Sequence, residues 1–384
     1  MKDGGGGGSD PVGDARPAPI PPALSPPAAG SLGPSIWAVS DGRAGNAVQV
    51  RAIVQALGEP RRWMRMAHID GRAHRDAPLT LTPGKPWTWL PSALWVNARA
   101  ALPAEQVQEL KTPWPTIWIG AGRRTAPYSA AIKRWSRGKT HVVHILDPKM
   151  AASRFDLIVT PVHDRVSKPG VISTVGSPTY FSQDDQEQAG QAFAHLADEP
   201  GPSAIVILGG NSKAYRFTAA DADRLVSEMQ AITSSGWRLR ITTSRRTPAE
   251  VVAKMRAFAQ SSGAALYTGP DDGPNPYLAW LLFSDAAIVT ADSANMLSDA
   301  AYHGLPVHIA RLKGGSPKFN SFHNSLIKRG CARWFAGELD LWSYEPLREA
   351  DRVADHIIAG VLRKHPQPEL PGIEPMHAVA PAWL

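Results

Sequence analysis

The segment from Ala286 to Pro306 sets out, in a fixed order, groups that could bind a nucleoside diphosphate. An apolar run ends at the polar turn Asp292-Ser293, and a helical pattern follows it. Amide hydrogens in the first turn of a helix, together with the positive end of its dipole, bind phosphate groups. Asp299 lies six residues after Ser293, where a carboxylate could accept both hydroxyls of a ribose. The segment therefore predicts a site for a diphosphate and its pentose.

Two polar clusters earlier in the chain have the composition of an anion-binding loop. Each follows an apolar run and combines hydrogen-bond donors with a cationic side chain. One basic pair alone is usually a solvated surface feature, but two clusters after neighbouring strands favour phosphate binding. The residues are Gly209, Gly210, Asn211, Ser212 and Lys213 in the first cluster, and Ser244, Arg245 and Arg246 in the second.

Two shorter glycine motifs fit either of two interpretations. They are Gly42-x-x-Gly45-Asn46 and Gly120-x-Gly122, each after an apolar run. Glycine lets the backbone approach a phosphate closely, yet it is equally typical of a tight turn between a strand and a helix. The sequence contains neither G-x-G-x-x-G with a later ribose-binding acid nor G-x-x-x-x-G-K-[ST]. These absences disfavour a dehydrogenase and a nucleoside triphosphatase.

The apolar runs that precede these motifs alternate with helical patterns. Runs of about five residues are each followed by a polar turn and a helix, and the pattern restarts at Ala204. This order is typical of α/β folds with a doubly wound parallel sheet, in which ligands bind outside the carboxyl ends of the strands. The sequence thus predicts two Rossmann-like domains that face each other across a cleft.

Composition marks the limits of these domains. Residues 1–34 are rich in Gly, Pro and Ala, so we expect a disordered tail that buries too little apolar surface to fold. The boundaries predicted after it are 35–180 for an N-terminal domain, 181–348 for a C-terminal domain, 349–365 for a helix that packs back on the N-terminal domain, and 366–384 for a Pro-rich tail.

The whole sequence narrows the class of protein. Its 384 residues, 43% of them hydrophobic, are enough for two globular domains. The net charge of +7 suits an anionic ligand or membrane; nucleic acid is not expected, because the basic residues follow strand ends instead of forming a stripe. The single cysteine, Cys331, excludes a disulfide framework and a multi-cysteine zinc site. The sequence has neither a run long enough to span a bilayer nor a secretory signal core, so a cytoplasmic protein is expected.

Tryptophan is concentrated in the predicted N-terminal domain. Most of these side chains are expected to pack in the core. Exposed ones beside Arg61, Arg62 and Arg65 could contact the inner face of the cell membrane, because aromatic and cationic side chains favour that interface.

The segment from Ala286 to Pro306 resembles the nucleotide-sugar site of GT-B glycosyltransferases, especially the lipid-linked N-acetylglucosaminyl transferase of peptidoglycan synthesis. The shared features are a serine-containing turn, an acid five residues before a glycine, and a Gly-Leu-Pro sequence. The resemblance implies an acceptor-side N-terminal domain and a nucleotide-sugar-side C-terminal domain. It assigns the ribose to Asp299, the diphosphate to Ser293, Ala294 and Asn295 beside Asp292, and glycine-loop roles to Gly209-Gly210, Gly42 to Asn46 and Gly120 to Gly122.

Five motifs together are similar to those of the mitochondrial-fission "elongated mitochondria" family, bacterial members included. The similarity extends over nearly all of residues 35–365. Plant members are implicated in recruiting a dynamin-related GTPase to mitochondria, a role that requires the organelle. The motifs are Ser40-Asp41-Gly42-Arg43-x-Gly45-Asn46-x-x-Gln49, Thr243-Ser244-Arg245-Arg246-Thr247-Pro248, Pro274-Asn275-Pro276-Tyr277, Thr290-Ala291-Asp292-Ser293 and Lys318-Phe319-x-x-Phe322-His323.

One departure from the peptidoglycan enzyme bears on catalysis. That enzyme has a His after its first glycine loop, where this chain has Asn46, and an amide cannot accept a proton near neutral pH. Asp41 and Asp147 follow apolar runs and are candidate bases. Asp41 is preferred because it directly precedes the glycine loop, although capping of the next helix explains it as well. His323 is a third candidate, with packing in the core as its alternative.

The sequence leaves two functions open. The first is an inverting transfer of sugar from a nucleotide-diphosphate donor to an acceptor such as a cell-envelope glycan or a lipid. Cations and helix ends would stabilise the departing diphosphate, so no metal or cofactor is expected beyond the nucleotide sugar as co-substrate. The second is a non-catalytic scaffold of the same fold, peripheral to a membrane or bound to a dynamin-like partner.

Overall fold

The chain folds into two α/β domains joined by a short connector. The computed structural model describes residues 33–69, 78–95, 97–164 and 168–366. The predicted tails, 1–34 and 366–384, lie outside these ranges except for residues 33, 34 and 366. Each domain is built on a parallel sheet of six strands, so the predicted fold class of two doubly wound α/β domains is confirmed.

The N-terminal sheet is fully parallel and is covered on both faces. Its strands are β1 (Ile36–Ser40), β2 (Leu79–Thr80), β3 (Ile117–Ala121), β4 (His141–Ile145), β5 (Leu157–Pro161) and β6 (Val171–Thr174). They lie in the order β2-β1-β3-β4-β5-β6. Every residue of β1, β3 and β4 is buried, as expected for strands of a sheet with helices on both sides.

Helices pack on both faces of this sheet. They are α1 (Ala44–Leu57), α2 (Pro60–Met64), α3 (Ala104–Glu109) and α4 (Ala126–Trp135). Val50, Ile53 and Leu57 of α1 are buried against one face, and Tyr128 and Ile132 of α4 are buried against the other. Since α1 follows β1 and α4 follows β3, both helices begin at the carboxyl edge of the sheet.

The C-terminal domain has a second parallel sheet and a small antiparallel pair. The sheet strands are β7 (Ser203–Leu208), β9 (Arg238–Thr243), β10 (Ala265–Tyr267), β11 (Ala286–Thr290), β12 (Val307–Ala310) and β14 (Ala332–Trp334), and the pair is β8 (Tyr215–Arg216) with β13 (Lys313–Gly314). The sheet order is β10-β9-β7-β11-β12-β14. Counted along the chain this is 3-2-1-4-5-6, the order of dinucleotide-binding domains.

The helices of the C-terminal domain carry clear start and stop signals. They are α5 (Gln183–Ala192), α6 (Ala219–Ser234), α7 (Ala249–Ser262), α8 (Tyr277–Leu282), α9 (Ala294–Tyr302) and α10 (Pro317–Lys328). Thr218 and Asp221 form a capping box at the start of α6. Gly263 ends α7 with φ of 74°, a conformation that few other residues adopt without strain.

The last helix, α11 (Glu349–Lys364), returns to the N-terminal domain. Its apolar residues Val353 and Ile357 belong to the same core as α1. Arg62 Nη1 lies 2.8 Å from Asp351 Oδ1, which ties α2 to the first turn of α11. Within the described ranges, no helix combines the length and apolar content that a membrane span requires.

Candidate functional site

The direction of winding reverses once in each sheet, and the loops at these two points form crevices. In the N-terminal sheet the reversal lies between β1 and β3, whose following loops contain Asp41 and Gly122. In the C-terminal sheet it lies between β7 and β11, which are followed by Gly209 and Asp292. Ligands of open α/β sheets bind at such reversal points. Most of the residues predicted from sequence therefore lie at the positions that the topology favours.

The two crevices face each other through the first turns of α1 and α9. A Cβ atom built on Gly45 would lie 4.0 Å from Nδ2 of Asn295. Gly45 is the second residue of α1 and Asn295 is the second residue of α9. The N-termini of two helices, one from each domain, therefore lie close together in the cleft, and each is the positive end of a helix dipole.

In the N-terminal crevice, Asp41 and Asn46 pack against Gly122. Asn46 Nδ2 donates a hydrogen bond of 2.8 Å to Asp41 Oδ1. Asp41 Oδ2 is buried and accepts no hydrogen bond from the described residues; Arg43 Nε lies 3.7 Å from it. A side chain at Gly122, whose φ is +92°, would meet both Asp41 Oδ2 and the Asn46 amide. Asn46 thus orients the Asp41 carboxylate and leaves its buried Oδ2 without a hydrogen bond.

In the C-terminal crevice, Asp292 is buried and fully engaged. Its carboxylate accepts hydrogen bonds from Gly210 N at 2.9 Å and from Thr290 Oγ1 at 2.7 Å, and it pairs with Arg246 Nη2 at 2.9 Å. Gly209 N donates to Thr290 Oγ1 at 2.7 Å. A Cβ atom on Gly209 would overlap the Asp292 carboxylate. The glycine loop is therefore held by an anion that belongs to the protein.

The rest of the predicted anion-binding cluster divides into structural and exposed groups. Asn211 Oδ1 and Ser212 Oγ accept hydrogen bonds from backbone amides of the following turn, at 3.0 Å and 3.1 Å. Lys213 and Arg245 are exposed at the carboxyl edge of the sheet. Of this cluster, these two cations are the side chains best placed to meet a ligand.

The first turn of α9 offers backbone donors. Ser293 is the N-cap residue; it is buried, and its side chain forms no capping hydrogen bond. The amides of Ala294, Asn295 and Met296 precede the first intrahelical hydrogen bond, from Leu297 N to Ser293 O. They are the groups through which a helix binds a phosphate.

Asp299 lies two turns along α9 and binds two hydroxyl groups of the chain. Oδ1 accepts from Thr179 Oγ1 and Oδ2 from Tyr277 Oη, each at 2.9 Å. Burial raises the pKa of Asp299 from 3.8 to about 6, and the two hydroxyls only partly offset this rise. The residue keeps some solvent exposure. Its two oxygens thus already make the kind of contact that a ribose diol would make.

Thr179 belongs to the connector between the domains, which docks on α9. Ser177 N donates to Ser298 Oγ at 2.9 Å, one residue before Asp299. Gly176 has φ of +80°, and a Cβ atom there would lie 2.6 Å from the same hydroxyl oxygen. The connector is therefore fixed to the helix whose other end faces the cleft.

The two other predicted catalytic residues are placed less favourably than Asp41. Asp147 pairs with Lys149 Nζ at 2.6 Å; burial acts to raise its pKa, but the hydrogen bonds from Lys149 hold the pKa below 3.8. His323 is 0% exposed, and its Nε2 donates to Ala291 O at 2.8 Å. Burial lowers its pKa. The contacts support a role for His323 in fixing the turn before Asp292, and no direct contact with a substrate.

Gly120 lies inside β3, one residue before its end, and not in a loop. A Cβ atom there would overlap Ser129 Oγ and lie 3.3 Å from His144 Nδ1. Both of these side chains are buried. The glycine is thus required for packing against α4, and of this motif only Gly122 reaches the crevice.

Sequence reasoning did not assign Thr179 and Tyr277 to the site. Tyr277 belongs to the Pro274 to Tyr277 motif and begins α8, so its motif was a usable signal. Thr179 lies in an irregular connector without periodicity, so nothing local indicated that it meets α9.

Comparison with known proteins gives matches that cover most of the chain. A family model described as "Mitochondrial fission ELM1" matches residues 44–361. Mitochondrial fission protein ELM1 of Arabidopsis thaliana is 28% identical over 271 residues, which are 63% of this chain and 63% of that protein. The match thus spans just under two thirds of that relative's length. An uncharacterized protein of Rickettsia prowazekii is 27% identical over 367 residues, 84% of this chain and 97% of that protein.

Solved structures with a similar arrangement of elements are distant in sequence. UDP-GlcNAc 2-epimerase from Methanocaldococcus jannaschii is 10% identical, with a TM-score of 0.44, over 85% of this chain and 99% of that chain. UGT89C1 of Arabidopsis thaliana, solved with UDP, is 11% identical, with a TM-score of 0.45, over 88% of this chain and 91% of that chain.

Proposed function

Because the chain belongs to the mitochondrial fission ELM1 family and two helix N-termini converge between its domains, we propose that it binds a nucleoside-diphosphate sugar in this cleft. We further propose that it transfers the sugar, with inversion, to an acceptor on the N-terminal domain. The observation that carries the proposal is the approach of Gly45 in α1 to Asn295 in α9. Two positive helix ends repel each other, and a diphosphate between them relieves the repulsion while accepting hydrogen bonds from their amides.

Asp299 supports the pentose part of the proposal. Both of its carboxylate oxygens accept hydrogen bonds from neutral hydroxyls, those of Thr179 and Tyr277. A ribose diol can replace these hydroxyls one for one. Such an exchange costs little, because the number of hydrogen bonds to the carboxylate stays the same.

Asp41 is the residue that we propose as general base. Its Oδ2 takes the proton of an acceptor hydroxyl while the acceptor oxygen forms a bond to the anomeric carbon. The bond from this carbon to the diphosphate breaks on the opposite face, and its electron pair leaves with the diphosphate. The amides of α9 and the exposed Lys213 and Arg245 stabilise the charge that develops there.

A second candidate function is binding of the same ligand without transfer. Asn46 stands where a base would be expected and cannot accept a proton. The side chain of Asp41 is 1% exposed, so an acceptor reaches it only if neighbouring groups move. A scaffold protein would keep the cleft and need no base.

Titration calorimetry with UDP, ADP, GDP and CDP tests the binding step. We expect the wild-type protein to bind at least one of them, and Asp299→Ala to bind it about tenfold more weakly or worse, because charge-assisted hydrogen bonds are lost. Asp223→Ala, at an exposed carboxylate of α6, is the matched control and should bind as the wild type does. If the wild-type protein binds none of the four nucleotides, the proposal is refuted.

Release of nucleoside diphosphate from a bound nucleotide sugar separates the two candidates. We expect slow hydrolysis by the wild-type protein even without an acceptor, and none by Asp41→Asn, with affinity unchanged. Tight binding with no turnover in the wild-type protein would instead support the scaffold.

A further inference from the structure

A short stretch of the N-terminal domain exposes three large apolar side chains. Trp89 is 72% exposed, Leu90 is 44% exposed and Leu94 is 61% exposed. They lie on and between two short 3₁₀ helices, Trp87–Trp89 and Ser92–Leu94. We call these three residues the apolar rim. Clustered exposed apolar groups of this kind mark interaction sites on soluble domains.

The stretch is anchored, so this exposure is not a sign of loose packing. Trp95 is 6% exposed and packs edge-on against Trp87 and Tyr128, with ring centroids 5.8 Å and 6.0 Å apart. Trp95 Nε1 also donates to Leu90 O at 3.4 Å. The buried Ser92 and Trp95 thus anchor the stretch and leave the apolar rim exposed.

Three cationic side chains lie beside the apolar rim. Lys85 Nζ lies 5.2 Å from the centroid of the Trp89 ring. Ser92 Oγ donates to Arg123 O at 3.1 Å, which places the stretch beside the exposed Arg123 and Arg124 of the loop after β3. The sequence from Leu81 to Leu102 contains no Asp or Glu.

We propose that the apolar rim and its three cations form a peripheral docking surface for an anionic lipid bilayer. Exposed Trp and Leu enter the interface of a bilayer, and Lys and Arg bind its anionic headgroups. The surface borders the crevice after β1 and β3, so a docked protein would present its N-terminal crevice to the membrane. The inference requires neither nucleotide binding nor transfer.

This surface replaces the one expected from sequence around Arg61, Arg62 and Arg65. Arg62 is engaged with two carboxylates of α11, at 2.8 Å and 3.0 Å. The Trp63 ring is half-buried and packs against Gly33, where a Cβ atom would lie 2.5 Å from it. This part of the chain holds α11 in place and lacks an exposed tryptophan.

Vesicle flotation with the full chain tests the proposal. The vesicles contain phosphatidylcholine alone, or with about a third of the lipid as phosphatidylglycerol. We expect flotation only with the anionic vesicles. Trp89→Ser/Leu94→Ser should lower the partition coefficient by about tenfold or more through lost apolar burial. Arg123→Glu/Arg124→Glu should lower it by at least about 25-fold, because each lost arginine costs about fivefold and each glutamate adds repulsion.

Matched controls keep the test decisive. Met64→Ser and Leu341→Ser change exposed apolar residues elsewhere, 73% and 59% exposed, and should float as the wild type does. Thermal melting of each variant verifies that it is folded. The proposal is overturned if the wild-type protein stays unbound, if it binds both vesicle types equally, or if the controls lose as much binding as the rim variants. A rim-dependent dimer in sedimentation without vesicle binding would also overturn it, since the partner would then be a second copy.

Discussion

The two crevices contain the same pair of residue types, but the hydrogen bonding of their aspartates differs. In each, an aspartate near the end of a strand packs against a glycine of the neighbouring loop, Asp41 against Gly122 and Asp292 against Gly209. Asp292 has a partner for both oxygens, including the guanidinium of Arg246. Asp41 accepts two hydrogen bonds on Oδ1, from the Asn46 side chain and from Arg43 N at 3.4 Å, while its Oδ2 accepts none from the described residues.

This difference separates a carboxylate with complete hydrogen bonding, Asp292, from one whose Oδ2 accepts no hydrogen bond from the described residues, Asp41. A buried anion with complete hydrogen bonding and a cation fixes the geometry of its loop. A buried carboxylate oxygen without a hydrogen bond is costly to keep, and such costs are concentrated at functional sites. The carboxylate of the C-terminal crevice thus fixes its loop, while the carboxylate of the N-terminal crevice has the free acceptor that the proposed general base requires.

The largest expected effect is on folding stability at the two aspartates. Asp292→Asn leaves the Gly210 amide and Arg246 without their anion and should lower the free energy of unfolding by about 3 kcal/mol. Asp41→Asn should cost about 1 kcal/mol or less, because an amide oxygen can still accept the two hydrogen bonds to Oδ1 and the nearby Arg43 is exposed. Denaturant unfolding of the pair measures both values. Equal losses would remove the distinction between the crevices.

The next effect concerns the glycines that face these aspartates. Gly209→Ala forces a methyl group into the Asp292 carboxylate and should destabilise the fold by about 2 kcal/mol through overpacking. Gly122→Ala should cost at least as much, because its φ of +92° adds backbone strain. Gly84→Ala is the matched control, since nothing lies within 4 Å of its Cβ position. Thermal melting should leave that control near the wild type, and a control as unstable as the other two would contradict this reading.

A pH effect is expected for ligand binding at Asp299. Only the ionised carboxylate accepts hydrogen bonds from both ribose hydroxyls, so affinity should fall as pH drops below about 6, about tenfold per unit. Titration with a UDP-sugar measures this, because its diphosphate diester does not titrate in this range. Asp299→Asn should bind weakly at every pH. The raised pKa also predicts that folding stability declines as pH rises from about 3.8 to about 6, since in this range the unfolded carboxyl is ionised and the folded one is still protonated. Wild-type affinity that stays flat down to pH 5 would exclude Asp299 as the pentose ligand.

The smallest effect on nucleotide affinity is expected from removing the two hydroxyls that donate hydrogen bonds to Asp299. If ribose displaces them, Thr179→Val and Tyr277→Phe should each tighten nucleotide binding by about threefold to tenfold, the worth of one competing hydrogen bond. Tyr302→Phe is the matched control. Tyr302 lies on α9, as Asp299 does, but its hydroxyl donates to Phe181 O. Weaker binding by the Thr179 and Tyr277 variants would mean that these hydroxyls assist the ligand instead of being replaced by it.

Local sequence patterns were sufficient to predict the fold class and the carboxyl edge of the sheets as the place of the candidate site. Apolar runs followed by polar turns and helices predicted the longer strands of both sheets, but not the short strands β2, β6 and β14 at their edges. The turn at Asp292-Ser293 was found because strand, turn and helix are contiguous in the chain. The burial of His323 was also readable, since it lies four residues after Phe319 and shares its helical face.

The partners of Asp292 and Asp299 could not be predicted from sequence, because they come from segments that are distant in the chain. The neutralisation of Asp292 requires the register of β7 against β11 and the position of Arg246 after a third strand. The partners of Asp299 come from a connector and from α8, separated from it by 120 and 22 positions. No sequence periodicity indicates such contacts, so these partner residues were assigned to the site from the structure.

The docking of the connector on α9 has a thermodynamic consequence. The carboxylate proposed to bind the pentose also holds the joint between the domains, through Thr179. Nucleotide binding at Asp299 and movement of the connector are then thermodynamically linked, and such linkage is reciprocal. Any partner that clamps the two halves in one orientation must change the affinity for the nucleotide by the same factor by which the nucleotide changes the affinity for that partner.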